Sequence, residues 1–572
     1  MTSRRTVLKY LGGLTAVPLI AATAGRASTR PNIVFVMTDD HANRALSCYG
    51  SRINRTPNLD RLAREGMRLN NCFVTNSLCA PSRATVLTGK YSHLHGVKTN
   101  RDTFDGTQET FPKLLQSAGY QTAMVGKWHL KSDPTGFDYW NVLPGQGAYF
   151  NPDLIEMGQR KNYSGYVTDI ITDLAIDFLD TGNREQPFFL SIGHKAPHRS
   201  WRPPAKYEDL YEGKRLPVPE TLFDDYTNRA SPAAHANLRI LENMGEYSAP
   251  SDLSGRDQLR HKYQQYIKDY LGTIQSVDDN MGRLLDYLDS EGLAHNTLVI
   301  YTSDNGFFLG EHGWFDKRFM YEESLKIPLL VRYPGKISAR SVSDALVMNL
   351  DFAETILDYA GITAPEEMQG HSLRPTLEGR TPDNRRSSVY YHYYEYPGPH
   401  TVRPHHGVRT QRYKLINYYS VGERELFDLE KDPHEMRNLY HQSAYQGIRR
   451  GLEEESDYLR EYYKDQEPGE VSGTIGAETP GGFHLFQNHP NPFNSSTLLT
   501  FRVPREIRAN LSVYSLNGSL VRTLLDQRIS GGRHSLQWNG VDSAGLPVAS
   551  GSYICRLKGE EYTESILVSV IR

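Results

Sequence analysis

The sequence predicts an α/β protein with a mixed, mostly parallel sheet and helices on both of its faces, followed by a smaller α+β subdomain and a small β-sandwich. Three observations support this fold class. Short apolar runs alternate with helical patterns over residues 32–301, which is typical of a parallel sheet with crossover helices. Apolar residues recur at three-and-four spacing over residues 258–290, which predicts one long amphipathic helix. Beyond residue 482, alternating runs predict antiparallel strands.

The bulk composition is that of a globular protein with more than one unit. The 572 residues exceed one ordinary domain, so two or three units are expected. A hydrophobic share of 38% and a charged share of 23% fit a chain with a real core. The net charge of -3 gives no indication of a nucleic-acid partner. Four cysteines in this length make no disulfide framework.

Residues 1–27 predict an export signal, so export machinery is an expected partner. Residues 3–9 resemble the twin-arginine motif. The apolar run over residues 10–24 is interrupted by glycine and proline and is too short to remain as a membrane span. Ala22, Ala24 and Ala27 offer cleavage sites. We therefore expect an exported mature chain, periplasmic, cell-surface or secreted, without an integral membrane span.

The elements follow in order along the chain. Apolar runs predict strands buried on both faces of the sheet over residues 32–37, 121–125, 187–192 and 297–301. A short helix is predicted over residues 57–66, with Asn58 as its cap and Gly66 as its stop. Residues 199–258 are polar and rich in proline, which predicts long loops near a binding site. Strands of the smaller unit are predicted at residues 408–410, 413–416 and 425–429.

Polar residues follow these strands, where open α/β sheets place their ligand sites. Asp39 and Asp40 follow the first strand, and Asp304 and Asn305 follow the last. This set supplies only oxygen ligands, which suit a hard cation such as Ca²⁺ and not zinc. The alternative for an isolated acidic pair is a solvated strand end.

Four further residues supply positive charge and proton donors. Lys127 and His129 follow a predicted strand, as does His198, while Lys317 lies beside the Asp304-Asn305 pair in sequence. Such groups are expected where negative charge develops on a leaving oxygen. A lone histidine or lysine is more often an ordinary surface or core residue.

Residues 78–90 contain the most specific motif. Cys79, Pro81 and Arg83 form Cys-x-Pro-x-Arg, which continues into Ala-Thr-Val-Leu-Thr-Gly, and a helix is predicted to begin over residues 83–87. The extended motif resembles the signature of the formylglycine-dependent (type I) sulfatases, whose Cys or Ser is oxidised to an aldehyde by a separate maturation enzyme. The alternative is a buried cysteine at a helix start.

This resemblance covers residues 31 to about 460 and implies an alkaline-phosphatase-like fold. It implies that Cys79 becomes formylglycine (3-oxoalanine), whose hydrate coordinates one Ca²⁺ and attacks sulfur. The remaining metal ligands would be Asp39, Asp40, Asp304 and Asn305. Arg83 would support the hydrate, and His129 would hold the nucleophile region. Lys127, His198 and Lys317 would bind the sulfate and assist the leaving group.

Three segments look most like N-acetylglucosamine-6-sulfatases. They are residues 165–173, 194–199 and 306–323, and they imply a sulfated carbohydrate substrate in glycosaminoglycan or mucin fragments. His312 and His406, of the pair His405-His406, are predicted to bind the sugar; the alternative is structural or solvated histidines. Other substrates stay open: iduronate 2-sulfate, another sulfated polysaccharide or an aryl sulfate. A phosphatase or phosphodiesterase of the same fold, or a non-catalytic carbohydrate-binding protein, is the alternative class.

The predicted domains are a catalytic domain at residues 30–465, a linker at 466–482 and a β-sandwich at 483–572. The main α/β part of the catalytic domain extends to about residue 380, and the smaller subdomain covers residues 385–465. The linker is rich in glycine and proline. Residues 486–494, 513–518 and 545–553 resemble the C-terminal sorting domains of type IX secretion.

Overall fold

The structure, a computed structural model, describes residues 30–571 except 383–384, 466–482, 487, 489–490, 504 and 560–561. The predicted export signal and linker lie outside the described residues. The largest sheet contains β1 (Asn32–Thr38), β2 (Met67–Phe73), β3 (Gln121–Lys127), β4 (Tyr139–Leu143), β5 (Asp153–Glu156), β6 (Gln159–Asn162), β7 (Phe188–Gly193), β8 (Thr297–Ser303), β9 (Lys326–Arg332), β10 (Ser341–Ser343) and β11 (Val347–Met348).

This sheet is parallel at its centre and antiparallel towards its edges. The strand order is β10-β2-β9-β8-β1-β7-β3-β4-β5-β6, and β11 also pairs with β2. The strands β8, β1, β7, β3 and β4 are mutually parallel. The strand β9 runs antiparallel to both β8 and β2. The carboxyl ends of β1, β3, β4, β7 and β8 therefore meet at one edge.

Helices cover both faces of the sheet, and successive side chains of β1 pack alternately against the two layers of helices. The helices are α1 (Pro57–Glu65), α2 (Cys79–Thr88), α3 (Ser92–His95), α4 (Phe111–Ser117), α5 (Val167–Thr181), α6 (Ser231–His235), α7 (Ile240–Asn243), α8 (Gly255–Ser290), α9 (Glu322–Leu325), α10 (Phe352–Ala360), α11 (Arg374–Leu377) and α12 (Gln446–Tyr462). Ile33 and Phe35 belong to one core with residues of α2, α4 and α10. Val34 and Val36 belong to a second core with residues of α1, α5 and α8. Within the described part of the chain, no helix is long and apolar enough to cross a membrane.

The free N–H groups at the start of α1 are bound by a residue of another helix and not by a capping residue of α1 itself. Asp278, on α8, accepts hydrogen bonds from the backbone N–H groups of Asn58 and Leu59 at 2.9–3.2 Å. The Asn58 side chain donates to the same carboxylate at 3.1 Å. The prediction of Asn58 as the cap is therefore wrong, because Asp278 satisfies the free N–H groups that a local cap would bind.

Two further units follow the large sheet. An antiparallel sheet contains β12 (Ser388–Tyr393), β13 (His405–Thr410), β14 (Tyr413–Tyr418) and β15 (Glu423–Asp428), in that order. The last unit contains β16 (His484–Leu485), β17 (Thr497–Val503), β18 (Ile507–Ser515), β19 (Leu520–Ile529), β20 (Gly532–Trp538), β21 (Gly551–Lys558) and β22 (Thr563–Val570). These seven strands form two antiparallel sheets, β16-β17-β20 and β19-β18-β21-β22. Phe501, Val513 and Trp538 are buried in a core of their own.

Candidate active site

Two pairs of residues with side-chain oxygens, Asp39-Asp40 and Asp304-Asn305, meet because β1 and β8 are parallel neighbours. Thr38 pairs with Ser303 at the ends of the two strands, so Asp39-Asp40 and Asp304-Asn305 leave the sheet side by side. The Asp304 N–H donates to the Thr38 carbonyl at 3.0 Å, and the Asp40 N–H donates to Asp304 Oδ1 at 3.1 Å. All four side chains are buried.

Cys79 brings its thiol into this acidic group from the first residue of α2. Leu78 is extended and the helix begins at Cys79, earlier than the predicted residues 83–87. The Cys79 Sγ lies 3.5 Å from Asp39 Oδ1. One ligand atom from each of Asp39, Asp40, Cys79 and Asp304 lies within 4.8 Å of all the others. We call these four residues the acidic cluster.

Buried cations pair with each carboxylate of the acidic cluster. Arg83 Nε donates to Asp304 Oδ2 at 2.9 Å, and Arg83 Nη2 lies 2.8 Å from the same oxygen in an ion pair. Lys317 Nζ donates to both oxygens of Asp40 at 2.6 and 2.7 Å. Lys127 Nζ forms a short ion pair with Asp39. This compensation is what allows three carboxylates to share one buried site.

The buried acids of the cluster differ in the charges around them, and therefore in their pKa values. Burial raises the pKa of Asp40 to about 7, against the opposing charge of Lys317. Burial also acts on Asp304, but the charges of Arg83, Lys127 and Lys317 outweigh it and lower the pKa of that carboxyl. Burial raises the pKa of the Cys79 thiol to about 12. An added cation would favour the ionised form of every one of these groups.

Asn305 supplies a direct test of whether this site fits a metal ion. Its Nδ2 donates to Asp40 Oδ1 at 2.6 Å and to Asp304 Oδ1 at 2.9 Å. Its Oδ1 is buried and has no hydrogen-bond partner among the described residues. A buried, unpartnered amide oxygen beside three carboxylates fits a hard cation with oxygen ligands. The residues present therefore fit a calcium-type site.

Two histidines border the acidic cluster. His198 Nε2 lies 3.7 Å from Asp40 Oδ2, and His129 Nε2 lies 3.2 Å from the Nε2 of Gln146. Burial lowers the pKa of both rings, and the nearby charge of Lys127 adds to this effect. The neutral imidazole is thus the favoured form of each ring.

The two predicted sugar-binding histidines are not part of this group. His312 is fully buried, with its Nδ1 2.9 Å from Asp224 Oδ2. His406 Nε2 lies 3.1 Å from Asn417 Nδ2, and its ring stacks on Tyr419. The structure brings neither ring to the acidic cluster, and the role predicted for them stays a prediction.

The structure adds polar residues that the sequence analysis did not single out. Asp316 lies beside Lys317 and pairs with His400 and Arg318, each at 3.3 Å. Arg318 also binds Glu395, which follows β12. Asp316 and Arg318 flank Lys317 within the 306–323 segment, which was the available signal for them. Glu395 and His400 lie in a loop without a motif.

Gln146 and Lys195 were missed as well. Gln146 Oε1 accepts from Lys127 Nζ at 2.6 Å. Lys195 is buried, with its Nζ 4.8 Å from the ring centre of Tyr149. Burial lowers the pKa of Lys195 to about 8. Lys195 belongs to the 194–199 segment, and that was the one available signal for it.

A buried thiol and carboxylates at the carboxyl edge of an α/β sheet, surrounded by cations, define a hydrolase of anionic esters. The sulfatase family model matches residues 31–362, which is more than half of the chain. The chain therefore belongs to the sulfatase family, and it is an enzyme of that class. A model described as N-sulphoglucosamine sulphohydrolase, C-terminal, matches residues 310–462, and a FlgD Ig-like domain model matches residues 490–561.

Similar proteins carry more specific names. An N-acetylglucosamine-6-O-sulfatase of Bacteroides thetaiotaomicron is 45% identical over 492 residues, which cover 77% of this chain and 88% of that protein. The human N-acetylglucosamine-6-sulfatase is 33% identical over 423 residues, covering 68% of this chain and 71% of the human protein.

Solved structures confirm the fold class. A structure described as a complex with its substrate D-glucosamine-2-N,6-O-disulfate has a TM-score of 0.75 and 45% identity, covering 77% of this chain and 100% of that one. A phosphonate monoester hydrolase of Agrobacterium radiobacter has a TM-score of 0.63 at 21% identity, over 76% of this chain and 96% of the other. The predicted alkaline-phosphatase-like fold is confirmed, as is the prediction that the chain is a sulfatase.

Proposed function

We propose that this protein is a calcium-dependent sulfatase that removes the 6-O-sulfate from N-acetylglucosamine in glycosaminoglycan or mucin fragments. The main observation in support of this reaction type is the acidic cluster, whose four ligand atoms lie within 4.8 Å of one another. The 45% identity to a protein named for this substrate supports the choice of sugar. Iduronate 2-sulfate, other sulfated polysaccharides and aryl sulfates are the competing substrates.

The nucleophile would come from Cys79 after its oxidation to formylglycine by a maturation enzyme. The hydrated aldehyde would supply an oxygen nucleophile. In support, Cys79 is fully buried beside Asp39, and its thiol pKa is raised by burial to about 12, so the unmodified side chain is a poor thiolate nucleophile. Arg83 would hold Asp304 in place through its two contacts.

Asp39, Asp40, Asp304 and Asn305 would hold Ca²⁺, together with the modified Cys79. The ion, when bound, supplies positive charge to the sulfate oxygens. Lys127 and Lys317 would bind the sulfate oxygens from the sides, since both are buried cations at the cluster. His198, 3.7 Å from Asp40, would give a proton to the leaving sugar oxygen from its protonated form, which the negative charges of Asp40 and of the bound sulfate ester would favour. His129 would hold the region of the nucleophile at residue 79.

The sugar itself would bind at the group formed by Asp316, Arg318, Glu395 and His400. Arg318 forms ion pairs with Asp316 and Glu395, and His400 lies 3.3 Å from Asp316. Asp316 and Arg318 are the chain neighbours of Lys317. Fixed polar groups of this kind reject a substrate that leaves them unpaired. His312 and His406 remain predicted sugar-binding residues, although both are engaged elsewhere in this conformation.

The test is sulfate release from defined substrates. We expect kcat/KM on N-acetylglucosamine-6-sulfate to exceed that on iduronate 2-sulfate by about a hundredfold or more, because mismatched hydroxyls leave buried polar groups unpaired. Cys79→Ala should lose kcat by about a thousandfold or more, the scale for a covalent nucleophile. Mass spectrometry of the peptide containing residue 79 should show the aldehyde. Full activity of Cys79→Ala would contradict the mechanism, and a preference for a phosphate ester would contradict the substrate.

We also propose that the protein is exported. The twin-arginine-like residues 3–9 and the sorting-domain-like tail support this, and the FlgD Ig-like match at residues 490–561 agrees with a separate terminal domain. The type IX route, the domain boundaries at residues 465 and 483, and the periplasmic, cell-surface or secreted location belong to this proposal.

A further inference from the structure

Gln146 reaches the active site from a tight turn after β4. This strand is the parallel neighbour of β3, with Lys127 opposite Leu143. The Gly147 N–H donates to the Pro144 carbonyl at 3.1 Å. Gly145 and Gly147 have φ of 56° and 66°, a left-handed conformation that favours glycine. The turn therefore returns Gln146 to the edge where β3 ends in Lys127.

The orientation of the Gln146 amide follows from Lys127. Lys127 is in an ion pair with Asp39, and an ammonium group has hydrogen-bond donors only. The atom of Gln146 that lies 2.6 Å from Lys127 Nζ must therefore be the oxygen Oε1. The amide nitrogen then faces His129 Nε2 at 3.2 Å.

This orientation decides which ring nitrogen of His129 carries the proton. The amide nitrogen of Gln146 can only donate, so His129 Nε2 must accept and carry no proton. In the neutral imidazole the proton is then on Nδ1. The Nδ1 atom is buried and has no hydrogen-bond partner among the described residues. Buried donors rarely stay unpaired, so Nδ1–H is available to a group that binds in the pocket.

We infer that Gln146 is a positioning residue that fixes the Nδ1–H tautomer of His129, so that this ring donates a hydrogen bond to an oxygen in the sulfate pocket. The inference rests on the proposed function, because the reaction defines the pocket in which the donor is used. Gln146 needs no contact with the substrate for this role. It acts through His129, and it is itself held by Lys127.

The test compares Gln146→Glu with Gln146→Met. A glutamate still accepts from Lys127, but it presents a second acceptor to His129 and so requires Nε2–H. A methionine has similar length and makes neither bond. The ring state is read by nitrogen NMR of the protein labelled at histidine nitrogens, with His129→Asn to assign the signal. We expect Nδ1–H in the natural protein, Nε2–H in Gln146→Glu and a mixture in Gln146→Met.

Kinetics provide the second readout. In Gln146→Glu we expect kcat to fall by about tenfold to a hundredfold, the scale of one misplaced polar contact, with KM within about threefold. The kcat of Gln146→Met should fall less than that of Gln146→Glu. Peptide mass spectrometry must show equal conversion of Cys79 in each variant. Gln108→Glu is the matched control, since Gln108 is a half-buried loop residue that binds the His95 carbonyl; its kcat should not change.

The inference would be overturned by Nε2–H in the natural protein, or by a changed tautomer in Gln146→Glu with unchanged kcat. An unchanged ring state in Gln146→Glu would overturn it too. Failure of the proposed function looks different: the natural protein would release no sulfate, while the NMR signal would still report the His129 tautomer.

Discussion

At this site each buried carboxylate forms an ion pair with a buried cation. The loss of either residue therefore leaves a buried charge without its partner. Asp304 is the clearest case. It accepts a hydrogen bond from Arg83 Nε and forms an ion pair with the same guanidinium, and it belongs to the acidic cluster. A neutral amide at this position keeps the shape but removes one of the charges that would bind the metal ion.

Asp304→Asn should therefore separate metal binding from packing. We expect calcium to raise the melting temperature of the natural protein, since a ligand that binds only the folded state stabilises it, and chelation to reverse this. In Asp304→Asn the calcium-dependent shift should disappear and kcat should fall by about a hundredfold or more. Melting temperature against calcium concentration measures the first effect. The control is Asp289→Asn, a partly exposed carboxylate on α8. A full calcium shift in Asp304→Asn would contradict the ligand role.

At the residue scale, sequence motifs predicted the acidic residues of the site well, but they did not predict the residues that position the catalytic groups. Asp39, Asp40 and Asp304 directly follow buried strands, so their meeting at one sheet edge follows from parallel pairing. Gln146 lies within Pro144-Gly145-Gln146-Gly147, a turn pattern that any surface loop could contain. Its role depends on the distance to Lys127 and His129, and sequence spacing does not contain that distance.

At the scale of elements, α10 carries a buried acid that makes stability depend on pH. Glu354 Oε1 accepts from the Gly370 N–H at 2.6 Å, while its Oε2 is buried with no hydrogen-bond partner in the described part of the chain. Burial raises the pKa of Glu354 from 4.5 to about 8, and Asp351 adds to this. The folded state thus holds this proton more tightly than the unfolded state does. Its contribution to stability is complete below pH 4.5 and is lost as the pH rises through about 8.

Glu354→Gln should weaken this pH dependence, because glutamine imitates the protonated acid. Between acidic and mildly alkaline pH we expect the melting temperature of the variant to fall by a few degrees less than that of the natural protein, about the effect of one or two kcal/mol in a domain of this size. Calorimetry across the pH range measures it, with the exposed Glu367→Gln as control. Identical pH profiles for Glu354→Gln and the natural protein would contradict the prediction.

Apolar elements could be predicted from the sequence, and polar ones could not. The strands β1, β3, β7 and β8 are continuous apolar runs, and each was predicted within two residues of its observed bounds. The strand β2 was not, because Arg68, Asn70 and Asn71 interrupt its pattern. It is a strand because β9 and β10 pair with it on either side. The start of α1 at Pro57 was predicted correctly, but its cap was not, since Asp278 binds the first N–H groups from a distant helix.

On the scale of the whole molecule, the seven C-terminal strands form a core that shares no residue with the cores around the large sheet. A polar contact joins the two parts: His484 of β16 approaches Glu454 of α12 at 3.4 Å, and within the C-terminal unit it also approaches Glu564 of β22 at 3.0 Å. The side chains of this ion-paired group are partly exposed, and exposed ion pairs contribute little to stability. The two parts should therefore unfold separately.

We expect two transitions in differential scanning calorimetry of the full chain. Calcium should raise only one of them, because Asp39, Asp40, Cys79 and Asp304 all lie in the catalytic part and a ligand stabilises the unit that binds it. A chain that ends at residue 465 should lose the other transition and keep kcat on N-acetylglucosamine-6-sulfate within about twofold, since none of the described residues of the terminal strands belongs to the acidic cluster. His484→Ala in the full chain is the matched control for the contact itself, and it should leave both transitions within a few degrees. A single transition that moves as a whole with calcium would mean that the sandwich and the catalytic part form one cooperative unit.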